Sequence, residues 1–322
     1  MKNDSKAVVL LPAFNEEFTI ASTIQDIRHH VPAAHVVVID NNSSDNTRDI
    51  ALKQGATVIQ EHRRGKGFAV QLGFDFALSS NSNVIIMMDA DSTYGAEQIP
   101  SAIQMVSKDG VDMVVGKRIP SKRSSSDGQG DQFRFGHKLG NKLFTQIAKL
   151  LLPAGIDDVL SGWRVMSRPF IHSFPGGSKG FEIEAQLNSH AFSLRSLVRN
   201  VEVDYFARPS GSSSKLNTYQ DGLKILRTTL KNFRGERPFM AFSMLSLPWL
   251  AATIALCYLP FRTYLETGLV PYLPRLVAGV GTFLIACLLW SAGIVLERIK
   301  EIRVQVSLAK YQEERISSFG RS

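Results

Sequence analysis

The sequence predicts an α/β domain with a mostly parallel, Rossmann-like sheet, followed by a two-helix transmembrane hairpin. Three observations predict it. Short apolar runs alternate with helix-period segments across residues 7–115. Two later stretches, residues 238–261 and 276–296, hold no charged residue at all. Asn15, Asp40 and Asp89 each follow an apolar run, where the carboxyl ends of parallel strands would bring them to one rim.

Each element follows from its residues. AVVLL at 7–11 is a short apolar run ending at Pro12, as suits a parallel strand buried on both faces. Residues 16–30 carry Phe18, Ile20, Ile24 and Ile27 at helical spacing. A second strand spans 36–39 and ends in Asp40, and a helix follows over 44–54. A weak strand at 58–59 precedes a helix over 67–78. The run 84–88 is a strand ending at Asp89, 98–107 a helix and 113–115 another strand. Repeated strand–helix units of this kind place helices on both faces of the sheet. The Ser/Gly/Asp-rich stretch 121–132 reads as a loop.

The two uncharged stretches each exceed the ~20 residues that cross a hydrocarbon core of ~30 Å. A short link with Pro271 and Pro274 joins them, so they form a hairpin with both chain ends on one side. Lys231, Arg234 and Arg237 precede the first span, and Arg298, Lys300 and Arg303 follow the second. The link has only Arg262 and Arg275, partly offset by Glu266. The positive-inside rule then makes this a multi-pass protein of the plasma (inner) membrane, with the α/β domain and both termini cytoplasmic. The apolar run near the start is too short for a signal peptide and lacks a cleavage site. The expected division is an α/β domain over 1–216, an amphipathic interfacial helix over 217–237, the hairpin over 238–297 and a C-terminal helix or tail over 298–322. In the interfacial helix, Tyr219, Leu223, Leu226, Leu230 and Phe233 alternate with Lys224, Arg227, Lys231 and Arg234, a pattern for the surface of an anionic leaflet. The mixed-charge segment 300–315 offers a surface for self-association, hence an expected homo-oligomer.

The formal charge is +8, from 37 Lys and Arg against 29 Asp and Glu. Segment 117–142 has seven basic residues against two acidic ones, and so does 208–237. No basic face interleaved with aromatics accompanies them, so nucleic acid is not the expected partner. Two cysteines, Cys257 and Cys287, exclude a disulfide scaffold and a thiolate metal cluster.

The chemistry centres on Asp89-Ala90-Asp91. Two carboxylates one residue apart, just past a strand, can share a hard divalent cation such as Mg²⁺ or Mn²⁺. Such an ion keeps several waters and recruits phosphates, which implies a diphosphate ligand. Alone, an Asp-x-Asp is commonly a solvated turn; its place after the fourth strand is what points to metal. The Gly-x-Gly pieces at 65–67 and 128–130 make neither a dinucleotide fingerprint nor a P-loop.

Six segments in order carry a resemblance. They are PAFNEE at 12–17, IDNNSSDNT at 39–47, RGKG at 64–67, DAD at 89–91, DVLSGWR at 158–164 and RPSGSSSKL at 208–216. Together they resemble family-two glycosyltransferases of GT-A fold, in particular polyprenyl-phosphate and dolichyl-phosphate sugar synthases, with the hairpin similar to that of bactoprenol glucosyltransferases. The resemblance implies that Pro12, Ala13, Asn15 and Glu16 edge a nucleotide-sugar pocket and that Asp40 meets the base or ribose. It implies that Lys66 approaches the donor phosphates and that Asp89 and Asp91 meet the metal, Asp91 most directly. Asp40 also reads as a turn or capping residue, and Lys66 as a solvated loop lysine. Thr93 stands where mannose-transferring relatives often have Gln. Asp158 is the candidate catalytic carboxylate, orienting the sugar or a basic side chain, or else paired with Arg164. Arg118, Arg134, Arg208, Ser214 and Lys215 fall in segments similar to the acceptor-phosphate pocket, and Arg forks suit phosphate. Glu182 and Glu184 either bind sugar hydroxyls or cap a helix.

The implied activity is inverting transfer of a sugar from a nucleotide-sugar, UDP-sugar ahead of GDP-mannose, to undecaprenyl or dolichyl phosphate at the cytoplasmic membrane face. Other readings are a glycosyltransferase with a hydroxyl acceptor, which needs a clear carboxylate base, and a non-catalytic membrane scaffold.

Overall fold

The computed structural model describes residues 7–120, 155–177, 180, 182–207, 234–235 and 237–319. The chain divides into two units, one of residues 1–218 with 306–322 and one of residues 219–305.

The first unit is built on a seven-stranded sheet. Its strands are β1 (Ala7–Ala13), β2 (His35–Asp40), β3 (Thr57–Gln60), β4 (Val84–Met87), β5 (Met113–Pro120), β6 (Arg164–Ser167) and β7 (Val198–Tyr205), in the spatial order β3-β2-β1-β4-β6-β5-β7. The strands β1, β2, β3 and β4 are mutually parallel, with Ala13 opposite Asp40 and Leu10 opposite Met87. Among the described strands, only β6 runs against its neighbours, β4 on one side and β5 on the other. The helices are α1 (Ile20–His30), α2 (Thr47–Lys53), α3 (Lys66–Ser79), α4 (Ile99–Ser107), α5 (Arg168–Ser173) and α6 (Ile183–Ser193).

The apolar runs of the strands have one explanation. Val9 and Leu11 of β1 pack with Ile20, Ile24 and Ile27 of α1 and with Ile99 and Ala102 of α4. Val8 and Leu10 point the other way, to Ala69, Val70 and Phe74 of α3, Phe170 of α5 and Leu187 of α6. A strand buried on both faces cannot alternate polar with apolar, so it reads as a continuous apolar run. The result is three layers, helices on either side of a sheet.

The sequence left β6, β7 and α5 unread, and of α6 it offered only a helix start near Glu182 and Glu184. Arg164 opens β6 and is fully buried, so its tetrapeptide lacks an apolar signature. β7 is an edge strand, only partly buried, with Arg199, Glu202 and Asp204 along it. The basic amphipathic helix expected over 217–237 lies outside the described residues except at 234–235, which are helical, and at 237.

The second unit holds α7 (Pro238–Thr267) and the first part of α8 (Leu273–Phe319). Both helices are long and apolar enough to cross a membrane. They run antiparallel: Thr253 meets the Thr282 hydroxyl at 2.8 Å, and the Trp290 indole donates to Ser243 at 3.0 Å. Gly279 lets them approach, since a Cβ there would run into the Cys257 sulfur.

Candidate active site

The carboxyl ends of β1, β2 and β4 and the start of α3 meet at one rim, as the positions of Asn15, Asp40 and Asp89 predict. The loops there are tied to one another before any ligand is considered. Asn15 has a left-handed backbone, with φ at 54°. Its amide donates to the Ser43 hydroxyl at 3.0 Å, and its side-chain carbonyl accepts from the Ser44 amide at 2.8 Å. The Glu16 amide donates to the Thr47 hydroxyl at 2.8 Å. Asp40 is buried and accepts from the Ser43 amide at 3.1 Å. These bonds lock the loop after β1, a strand that ends in Pro12 and Ala13, onto the loop after β2.

Asn41 anchors a third loop. It donates to the Arg63 carbonyl at 2.7 Å and accepts from the Gly65 amide at 2.8 Å. Gly65 has φ at 137°, a backbone that a side chain would strain, and it delivers Lys66 to the first position of α3.

Lys66 is not a solvated loop lysine. Its ammonium lies 2.5 Å from Asp89 and 2.6 Å from Glu184, and its side chain is 13% exposed. Burial by itself favours the neutral amine; the charges of Asp89 and Glu184 outweigh it and raise the pKa, so the ammonium is held charged. Glu184 thus does not cap α6 with its carboxylate. One of its oxygens holds Lys66 and the other is buried with no hydrogen-bond partner among the described residues. Nothing local could have revealed this triad, because its members lie on three separate segments.

Asp91 is buried and accepts from the Thr93 amide at 3.1 Å and its hydroxyl at 2.5 Å. Thr93 orients this carboxylate. The intervening Ala90 carbonyl accepts from the hydroxyls of Thr19, at 3.0 Å, and Thr23, at 3.3 Å. Ser92, with φ at 55°, is held by the Thr19 carbonyl at 3.0 Å and by Ser22 and Thr23. The start of α1 therefore clasps the Asp-Ala-Asp turn.

The segment 158–164 approaches from β6. A Cβ on Gly162 would run into the Asp89 carboxylate, so glycine is required for that approach. The Gly162 amide donates to the Tyr94 hydroxyl at 3.0 Å. Burial raises the Tyr94 pKa, and the charge of Asp89 adds to the shift. Asp158 pairs with Arg118, not with Arg164: the guanidinium donates to its two oxygens at 2.6 and 2.8 Å. Burial disfavours the charged Arg118, and the Asp158 hydrogen bonds more than restore it, raising the pKa. Arg164 is instead a buried brace, donating to Asn188 at 2.6 Å and to the carbonyls of Ser161 and Val159 at 3.1 and 3.2 Å. Burial lowers its pKa to about 10, which leaves it charged at neutral pH. Arg134, Arg208, Ser214 and Lys215 lie outside the described residues.

A three-layer α/β domain whose parallel strands end in an Asp-Ala-Asp turn, beside a buried lysine, defines an enzyme of GT-A type. Residues 8–173 match the model for glycosyl transferase family 2, and the chain belongs to that family. It is 28% identical over 229 residues to a dolichyl-phosphate hexose transferase of Haloferax volcanii, covering 71% of this chain and 94% of that protein. It is 26% identical over 219 residues to a polyprenol monophosphomannose synthase of Mycolicibacterium smegmatis, covering 65% and 80%. The glucosyl-3-phosphoglycerate synthase of Mycobacterium tuberculosis, solved with Mn²⁺ and UDP-glucose, shares the fold with a TM-score of 0.53 at 21% identity, over 71% of this chain and 79% of that one. The protein is a glycosyltransferase.

Proposed function

We propose that this glycosyltransferase moves a sugar from a nucleotide-sugar, a UDP-sugar in preference to GDP-mannose, to a polyprenyl phosphate such as undecaprenyl or dolichyl phosphate, with inversion at the anomeric carbon. The reaction takes place at the cytoplasmic face of the plasma (inner) membrane and serves glycan or cell-envelope assembly. The observation that carries this reading is the pairing of Asp158 with Arg118. A hydroxyl acceptor needs a carboxylate base, and the carboxylate best placed in the sequence for that task is the counter-ion of a guanidinium. A phosphate acceptor needs no such base: with a second pKa of ~6 it is already ionised at neutral pH. What it needs is a fixed cation, and Arg118 is one.

The residues then divide the work. An acceptor phosphate oxygen attacks C1, and the C1–O bond to the nucleoside diphosphate breaks. The nucleoside diphosphate leaves with the bonding electrons, and direct displacement inverts the centre. Pro12, Ala13, Asn15, Glu16 and Asp40 border the nucleotide. Lys66 holds Asp89 in place, and the unpartnered Glu184 oxygen accepts from a hydroxyl of the donor sugar. Arg134, Arg208, Ser214 and Lys215 complete the acceptor pocket by resemblance, with the interfacial helix over 217–237 and the hairpin over 238–297 keeping the domain at the membrane. Two hard carboxylates on one turn fit a Mg²⁺ or Mn²⁺ ion that retains waters and binds phosphate, and no group of three metal-binding side chains among the described residues makes an all-protein cage. Asp91 would hold that ion with Asp89 beside it; when bound, it supplies charge neutralisation for the departing diphosphate. The names of the relatives support the acceptor, and the UDP-glucose complex of the structural neighbour supports the donor class.

Arg118→Ala separates the two acceptor chemistries. Loss of a charge-assisted phosphate contact, on the order of 2 kcal/mol, should raise the apparent KM for the lipid phosphate roughly 10- to 100-fold and leave the donor KM within about twofold. Equal rises in both constants would contradict the assignment. So would a rate that tracks one carboxylate ionisation and disappears in Asp158→Asn, the signature of a base.

A further inference from the structure

The end of α8 belongs to the α/β unit, although the rest of that helix does not. Ser307, Leu308, Tyr311 and Glu314 recur at three- and four-residue spacing and so share one helix face. Leu308 and Tyr311 pack on the core that α3, α5 and α6 build. The Tyr311 hydroxyl donates to Asp112 at 2.6 Å, and burial raises its pKa to about 12. Asp112 also accepts from the Leu197 amide at 3.0 Å, at the turn into β7. Glu314 meets Arg168 at 2.8 Å, and both side chains are nearly buried. That guanidinium donates further to the carbonyls of Leu78 at 2.6 Å, Ser80 at 2.8 Å, Ser82 at 3.2 Å and Ala77 at 3.3 Å. It therefore closes the C-terminal end of α3, where helix carbonyls lack partners and favour a cation.

We propose that residues 306–319 are a second, non-covalent anchor: a latch that binds the α/β unit through Leu308, Tyr311 and Glu314 and holds after the covalent connection near Thr218 is cut. The surface that the sequence offers to self-association is, on this reading, engaged within the chain. The chemistry supports a latch over a passive tail. A nearly buried ion pair, a part-buried phenol–carboxylate bond and an apolar contact act together, and each is lost if the segment lifts away. In the intact chain the segment is tethered at an effective concentration of ~1 mM, so a latch with a Kd of ~10 µM is engaged about 99% of the time. The inference does not depend on the acceptor or donor assigned above.

The test uses the full chain with a specific protease site inserted between Thr218 and Tyr219 and an affinity tag after Ser322. The protein is cleaved in neutral detergent at ~50 µM, where a Kd of ~10 µM keeps most of it associated, and captured by the tag. The fragment ending at Thr218 should be retained. Glu314→Arg combined with Leu308→Asp, which leaves the sequence of that fragment unchanged, should cut retention at least fivefold, while Glu314→Asp should restore most of the loss seen in Glu314→Arg. Release of the wild-type fragment, or equal retention of the double variant, would overturn the proposal. Amide exchange on the uncut chain gives an independent reading. Residues 306–319 should exchange at least tenfold faster in the double variant, and residues 77–82 should speed up with them. Equal exchange in wild type and variant would also overturn it.

Discussion

Gly162 shows how one residue shapes the site. It lies in the loop before β6, and its missing side chain is what lets the loop pass Asp89. Gly162→Ala inserts a methyl group where the carboxylate is, and the carboxylate must turn away from Lys66. Misplacement on the scale of 1 Å costs on the order of 100-fold in rate, whereas overpacking costs about 1–3 kcal/mol of stability. The variant should therefore fold, with an unchanged circular dichroism spectrum, and lose about 100-fold in kcat. Wild-type kcat would show that Asp89 need not stand where it does. At this scale the sequence was half legible. Asp89 and Asp91 stand out because they lie one residue apart just past a strand. Their partners do not: Glu184 lies far along the chain from Lys66, and Arg118 is 40 residues from Asp158. The Asp158–Arg118 pair needs two strands, β5 and the approach to β6, to become neighbours.

At the scale of elements, what was readable followed burial. β1, β2 and β4 are buried on both faces, so their composition alone announces them. β6 hides a buried arginine, and α6 turns its first-turn Glu184 and its His190 inward, so neither shows the usual periodicity. His190 gives α6 a measurable property. It is buried between Phe170 and Phe174, with the Ser173 hydroxyl 2.9 Å away, and burial lowers its pKa to about 4. The unfolded chain, with an ordinary histidine pKa of ~6.5, binds the proton first as pH falls. Stability is therefore full above about pH 6.5 and declines toward pH 4, by about 2 kcal/mol between pH 7.5 and 5. Denaturant unfolding of wild type and His190→Gln across that range should show the extra decline in wild type only. Parallel curves would mean that His190 is charged in the folded protein. Protonated carboxylates act at lower pH and contribute to both curves alike.

The whole molecule resolves the +8 charge that the composition reports. Segments 117–142 and 208–237 each carry seven basic residues against two acidic ones, the first holding two of the proposed phosphate-binding arginines and the second leading into an apolar helix. That distribution suits an enzyme that takes a lipid phosphate at a membrane surface. The central claim joins this charge, the triad of Lys66, Asp89 and Glu184 and the Asp158–Arg118 pair into one reaction. Its direct measurement is transfer of radiolabelled sugar from a panel of UDP- and GDP-sugars to undecaprenyl phosphate in detergent, with and without Mn²⁺, with analysis of the product's anomeric configuration. The account predicts one preferred UDP-sugar, a lipid-phosphate-linked product of inverted configuration, and no product with undecaprenol in place of its phosphate. No transfer from any donor to the lipid phosphate, or faster transfer to the alcohol, would contradict it.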